Sequence, residues 1–172
     1  DLVRSRGLGD VYKRQVYHFC IQLSTIKFNG GITMDYRKFG DTVVARFDRG
    51  EEFTSSLQEL CEKENIKLAS VSAIGALSAF TAGVYMVDEK RYVKNEFKGC
   101  FEIVSLTGTV NTKDGKYYSH LHISAGDESG RVFGGHLNEA HISATAEVVI
   151  RMINGEVDRF YDDATGLNLF KF

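Results

Sequence analysis

From Tyr118 to Ala125 the side chains alternate in character, with Leu121, Ile123 and Ala125 in one phase and His120, His122 and Ser124 in the other. Successive side chains on an extended chain point to opposite faces, so this period of two reads as a strand. Its apolar set supplies a core face. The histidine face is then solvent, an interface or the lining of a cavity, and on it two imidazoles point the same way.

The tract Asp127-Glu128-Ser129-Gly130 is polar and turn-forming, and Arg131-Val132-Phe133 is again extended in character. A hairpin folded here would carry His136, at the end of Gly134-Gly135-His136, back toward His120 and His122. Three neutral imidazoles of this kind hold a borderline divalent cation such as Zn²⁺, with a position left open for water or a small anionic ligand. The competing reading is that His-x-His merely alternates on a solvated strand and His136 ends a loop. Gly134 and Gly135 are candidate ligand-binding positions, because a missing Cβ lets backbone approach a ligand; a tight turn would explain them equally well. His141 falls outside the motif spacing and reads as structural or exposed.

With 172 residues, 43% hydrophobic and 26% charged, the chain is sized for one globular domain. Residues 34–172 hold 16 basic and 21 acidic side chains, a net charge of −5. That balance is a poor match for a phosphate backbone, which rewards clustered Lys and Arg. Scattered basic candidates remain at Lys90, Arg91, Lys94 and Lys98 and at Lys113 and Lys116. The three cysteines, Cys20, Cys61 and Cys100, are widely spaced with no Cys-x-x-Cys pair; they argue for a reducing compartment and against a disulfide framework or thiolate zinc site. The apolar run Val16 to Ile26 is interrupted and too short to span a bilayer. A cytoplasmic location and no membrane association are expected.

Residues 1–33 have no sustained period and read as a non-native or disordered extension, with Met34 as the start of a domain over 34–172. Thr42 to Phe47 is a strand by composition. In Glu51 to Asn65, Phe53, Leu57, Leu60 and Cys61 recur at helical spacing, predicting an amphipathic helix with Glu51 and Glu52 at its positive end. Strands are predicted over Lys67 to Ile74, Ala79 to Val87, Arg91 to Phe97, Phe101 to Val110 and Ile142 to Ile153, with Leu137 to His141 a short connection and the tail from Phe160 to Leu167 a loop. Lys113-Asp114-Gly115 marks a hairpin turn. Glu102 shares the phase of Val104 and Leu106, which makes it either a buried carboxylate near the histidines or one half of an edge or interface ion pair.

These segments together resemble the PPC domain, named for plants and prokaryotes. The resemblance is carried by Gly50 through Glu62, Ser72-Ala73-Ile74-Gly75-Ala76-Leu77, Phe101-Glu102-Ile103-Val104-Ser105-Leu106-Thr107-Gly108, His120-Leu121-His122-Ile123-Ser124, Gly130 through Leu137 and Thr145 through Ile150. It implies an α+β fold, a strongly bent antiparallel β-sheet with a flanking helix, assembled as a homotrimer. Plant members carry an AT-hook beside the domain, an element that contains proline; this chain has none. The histidines match the prokaryotic branch, often called DNA-binding mainly by kinship.

Two functions follow as expectations. The first is a trimeric module binding a divalent metal through His120, His122 and His136. The second is a DNA-associated regulatory protein lacking an AT-hook, which the charge does not support. A purely structural or sensory subunit is neither favoured nor excluded. The sequence selects no substrate and leans against enzymatic activity, having no nucleophile elbow, phosphate loop or paired-carboxylate signature. Were the metal catalytic, Glu102 or Glu139 would be the proton carrier.

Overall fold

The computed structural model describes residues 35–172, so the expected extension over 1–33, the start at Met34 and Cys20 lie outside the described residues. The described chain forms β1 (Asp35–Phe39), β2 (Thr42–Asp48), α1 (Phe53–Lys63), β3 (Ala69–Met86), β4 (Arg91–Lys113), β5 (Lys116–Asp127), β6 (Val132–Met152), β7 (Asp158–Asp162) and β8 (Leu167–Lys171). The first six strands make an antiparallel sheet in the order β1-β2-β6-β3-β4-β5, and β5 pairs in addition with β6. The bend expected of the sheet therefore runs until its edge meets itself. β3, β4, β5 and the first half of β6 close into a ring, while the second half of β6 lies between β3 and β2. The β7-β8 hairpin is a separate two-stranded sheet.

Alternation along each strand sets what lies inside. Val43, Ile150, Val71, Gly108 and Leu121 are successive partners across five strands, and the four side chains among them are 0 to 2% exposed. Phe47, Leu106, Ile123 and Val148 extend the same face into the core. Each such side chain contributes about 1.5–3 kcal/mol by leaving water.

α1 covers this face, packing on β6 and β5. Phe53, Leu57, Leu60 and Cys61 are its buried stripe, as their spacing predicts, with Ser56 beside them. Phe53 meets Phe47 edge-to-face at 5.3 Å between centroids. Glu52 caps the helix, its carboxylate accepting from the amides of Thr54 at 3.0 Å and Ser55 at 2.8 Å, and from the Ala140 amide of β6 at 3.0 Å. Burial opposes the Glu52 charge, but the Ala140, Thr54 and Ser55 amides outweigh it and hold the carboxyl below its ordinary value. One acidic side chain thus closes the helix start and fixes it to the sheet.

Several elements differ from the sequence expectation. The two strands expected over 67–74 and 79–87 are one strand, β3, because Gly75-Ala76-Leu77 is absorbed by register shifts rather than by a turn. In the same way β4 and β6 run unbroken through positions read as breaks at 98–100 and 137–141. The tail from Phe160 is not a loop but half of the β7-β8 hairpin. The Asp114-Gly115 turn is as expected, with φ of 53° and 73° at its two residues, the geometry a two-residue hairpin loop prefers. Cys61 is free and buried. No helix among the described residues is long and apolar enough to cross a membrane.

Candidate metal centre

The rows of the sheet that face away from α1 lead to the histidines. Val44, Val149, Ser72, Thr107 and His122 are successive partners across β2, β6, β3, β4 and β5, and His122 is in turn paired with His136. Thr42, Arg151, Ser70, Thr109 and His120 form the neighbouring row. Both rows are outward-facing because the rows between them fill the core. Ring closure then brings His136 of β6 beside the β5 pair, as the predicted hairpin requires.

The three imidazoles converge. One ring nitrogen from each of His120, His122 and His136 lies within 4.8 Å of the others, and this is the only such cluster of potential metal ligands among the described residues. His120 Nε2 and His122 Nε2 are 3.2 Å apart. Ring centroids are separated by 5.1 Å for His120 and His122, 5.0 Å for His120 and His136 and 5.8 Å for His122 and His136. Two nitrogens 3.2 Å apart are either hydrogen-bonded to each other or ready to share a cation; zinc–nitrogen bonds of about 2.0–2.1 Å make this spacing suitable for a tetrahedral edge.

The electrostatics favour neutral rings. Although His120 is exposed by surface area, crowding of its ring by protein atoms, then His136, His122 and Arg159, pulls its pKa down to about 4. Burial, then His122, lowers His136. Neutral imidazole is the form that ligates a metal, so at neutral pH no proton need leave before a cation binds.

Around this centre the backbone is closely packed. Gly134 and Gly135 lie within β6, not in a tight turn. A Cβ on Gly134 would collide with the Ile123 carbonyl oxygen and one on Gly135 with the Gly83 carbonyl oxygen, while Gly135 has φ of 150°. Their immediate physical role is to let β5 and β3 close on β6 where His136 is delivered. The Tyr92 hydroxyl of β4 donates to Asn138 Oδ1 at 2.8 Å and lies 3.1 Å from the His136 carbonyl oxygen, bracing the same segment.

The acidic candidates are not brought to the histidines. Glu102 is exposed and opposite Gly126, four residues along β5 from His122. A register shift between Ile103 and Ser105 breaks the phase that linked it to Leu106, so Ile103 turns inward instead. Partial burial raises the Glu102 carboxyl above its usual range, yet no ion-pair partner stands near it among the described residues. Glu139 is also exposed and faces His141, with 3.7 Å between Oε1 and Nε2. Sequence reasoning missed Arg159 and Tyr92, which reach the site from 39 residues after His120 and 44 residues before His136. Neither lies in a motif; only the folded register reveals them.

Comparison with known proteins gives a consistent picture. The family model of the Plants and Prokaryotes Conserved (PCC) domain matches residues 34–154. A metal-containing protein from Archaeoglobus fulgidus is 34% identical, with a TM-score of 0.73 over 83% of this chain and 99% of that one. A plant- and prokaryote-conserved (PPC) protein from Pyrococcus horikoshii is 31% identical, with a TM-score of 0.71 over 85% and 98%. A "putative DNA binding protein" from Bacteroides thetaiotaomicron is 27% identical, with a TM-score of 0.79 over 81% and 97%. No curated protein matches the chain.

Proposed function

The chain belongs to the Plants and Prokaryotes Conserved domain family, and from that premise we propose that it is a homotrimeric metal-binding protein. His120, His122 and His136 hold a divalent cation, Zn²⁺ foremost, and leave a coordination position for water or a small anionic ligand. The observation that carries the reading is the convergence of three ring nitrogens within 4.8 Å. Three imidazoles without a thiolate or carboxylate suit a borderline cation. They also leave its charge uncompensated and its coordination shell open. That the Archaeoglobus fulgidus relative is named a metal-containing protein supports the same reading.

The homotrimer follows from the family resemblance, and the outward rows of the sheet offer it a surface. Val44, Ile74 and Val149 are exposed there, among the small side chains of Ser70, Ser72, Thr107 and Thr109. Such a face suits contact with a second sheet better than contact with water.

DNA association is the second reading, and it rests on the name of the Bacteroides thetaiotaomicron neighbour. The basic candidates do not form a stripe. Arg91 is paired with Glu89, Lys94 with Glu96 and Lys113 with Asp114, while Lys90 donates to the Asp163 carbonyl oxygen. Each local acid offsets charge that a phosphate backbone would need.

Elemental analysis of the purified protein, together with its native mass, tests the proposal. One divalent ion per chain in a species of three chains is expected, with the ion lost when His120 and His122 are both replaced by alanine. Purified protein without stoichiometric metal, even after incubation with Zn²⁺, would overturn the metal reading. A mobility shift on mixed-sequence DNA that persists at physiological salt would favour the regulator.

A further inference from the structure

Arg159 of β7 is 6% exposed and has no carboxylate partner among the described residues. Its guanidinium is sandwiched between the Tyr118 ring at 4.6 Å and the Phe170 ring at 4.3 Å. Nε donates to Asn111 Oδ1 at 3.0 Å and one terminal nitrogen, Nη1, to the Asn168 carbonyl oxygen at 2.8 Å. Nη2 makes no hydrogen bond among the described residues. Buried charges are ordinarily paired with an opposite charge, because a neutral surround does not replace the lost hydration. Here both acceptors are neutral amides. Arg159 is thus a buried cation with no carboxylate beside it among the described residues.

Its position gives that unpaired charge a meaning. Tyr118 is two residues from His120 on the same face of β5, a step of about 7 Å along a strand. Asn111 is the β4 partner of Tyr118, as Thr109 is of His120. The guanidinium therefore stands one row from the histidine cluster, on the same side of the sheet. A divalent ion on those three rings would add further positive charge one row from this cation.

We propose that Arg159 and the metal together form a subsite for a small organic dicarboxylate, one carboxylate occupying the open coordination position and the other accepting from the guanidinium. The inference rests on the metal reading above and names the chemical class of its ligand. Planar, forked donors recognise carboxylates in this way, and groups set one strand row apart, about 7 Å between backbone positions, are within reach of a three- or four-carbon dicarboxylate. The β7-β8 hairpin becomes the wall that carries the anion-selecting group, not only a cover for Asn111.

Cobalt(II) serves as the test metal, because its visible spectrum reports both occupancy and exchange of the open ligand. Succinate, which can reach both groups, is titrated against acetate, which can reach only the metal. Wild-type protein should bind succinate about tenfold or more tightly than acetate, and Arg159→Met should erase that preference, as expected when one partner of a desolvated charge pair is removed. Cobalt affinity should be kept or improved in the variant, since a nearby positive charge is gone. Asn111→Asp, which supplies the missing counter-ion while leaving Arg159 in place, should abolish the preference as well, and it covers the case in which the methionine variant unfolds the hairpin. Failure of wild-type protein to bind cobalt would overturn the metal reading itself. Cobalt binding with equal succinate preference in wild type and both variants would overturn only the role of Arg159.

Discussion

His122 of β5 and His136 of β6 face each other as direct register partners at the point where the sheet closes on itself. The pairing makes the site a property of the fold, since the hydrogen bonds that close the ring also set the spacing of the two rings. Replacing either histidine by alanine removes a proposed metal ligand without disturbing an inward side chain. The expected result is a loss of about 100-fold or more in Zn²⁺ affinity, at least the upper end of what losing a mere outer-shell partner costs. Calorimetric titration measures it. Stability of the metal-free protein should change little, because outward positions of this kind stay within about ±0.5 kcal/mol.

Gly135 separates backbone packing from ligand contact. Its φ of 150° and the Gly83 carbonyl oxygen in the place of a Cβ mean that Gly135→Ala strains the junction of β6 and β3. A loss of about 1–3 kcal/mol is expected, visible in urea unfolding of the metal-free protein. A loss that appeared only in metal-loaded protein would assign the glycine to the ligand instead.

The histidine hairpin was legible because everything that makes it is local: a period of two, a polar four-residue turn and the resumption of apolar residues. The amphipathic helix was legible for the same reason. What could not be read is set by pairing between distant segments. Gly75 looks like a break in isolation, but β4 and β6 pair with it on either side and hold the chain extended, while Gly99 falls in an irregularity of the β3–β4 pairing that β4 runs through. Glu102 was misphased because the irregularity between Ile103 and Ser105 exists only in the pairing of β4 with β5. Arg159 carries no motif at all, and its approach to Tyr118 depends on how the last hairpin folds back.

Tyr117, one residue before Tyr118, points the other way, with its ring packed against the core and its hydroxyl buried near the Ser119 side chain but without a well-formed hydrogen bond. Burial raises its phenol above the ordinary value. Leaving such a group unpaired costs about 1–3 kcal/mol. Tyr117→Phe deletes the hydroxyl and keeps the ring, so it should raise stability by about 1 kcal/mol, seen as a higher urea midpoint at unchanged slope. A lowered midpoint would mean that the hydroxyl is satisfied in solution.

His120 predicts a pH dependence with a definite sign. Its folded pKa of about 4 lies below the unfolded value of about 6.5, so in the window between them the unfolded chain binds the proton more readily. The stability that neutral His120 contributes is therefore fully present above pH 6.5 and is lost as pH falls toward 4. Carboxylates titrate over part of the same range, and the comparison that isolates the imidazole is with His120→Gln, both proteins freed of metal by a chelator. The difference in unfolding free energy between the two should be constant above pH 6.5, shift against the wild type between pH 6.5 and 4, and level off below. Parallel profiles across the whole range would show that His120 titrates in the folded protein as it does in the unfolded chain, and that the crowding of the three rings does not hold it neutral.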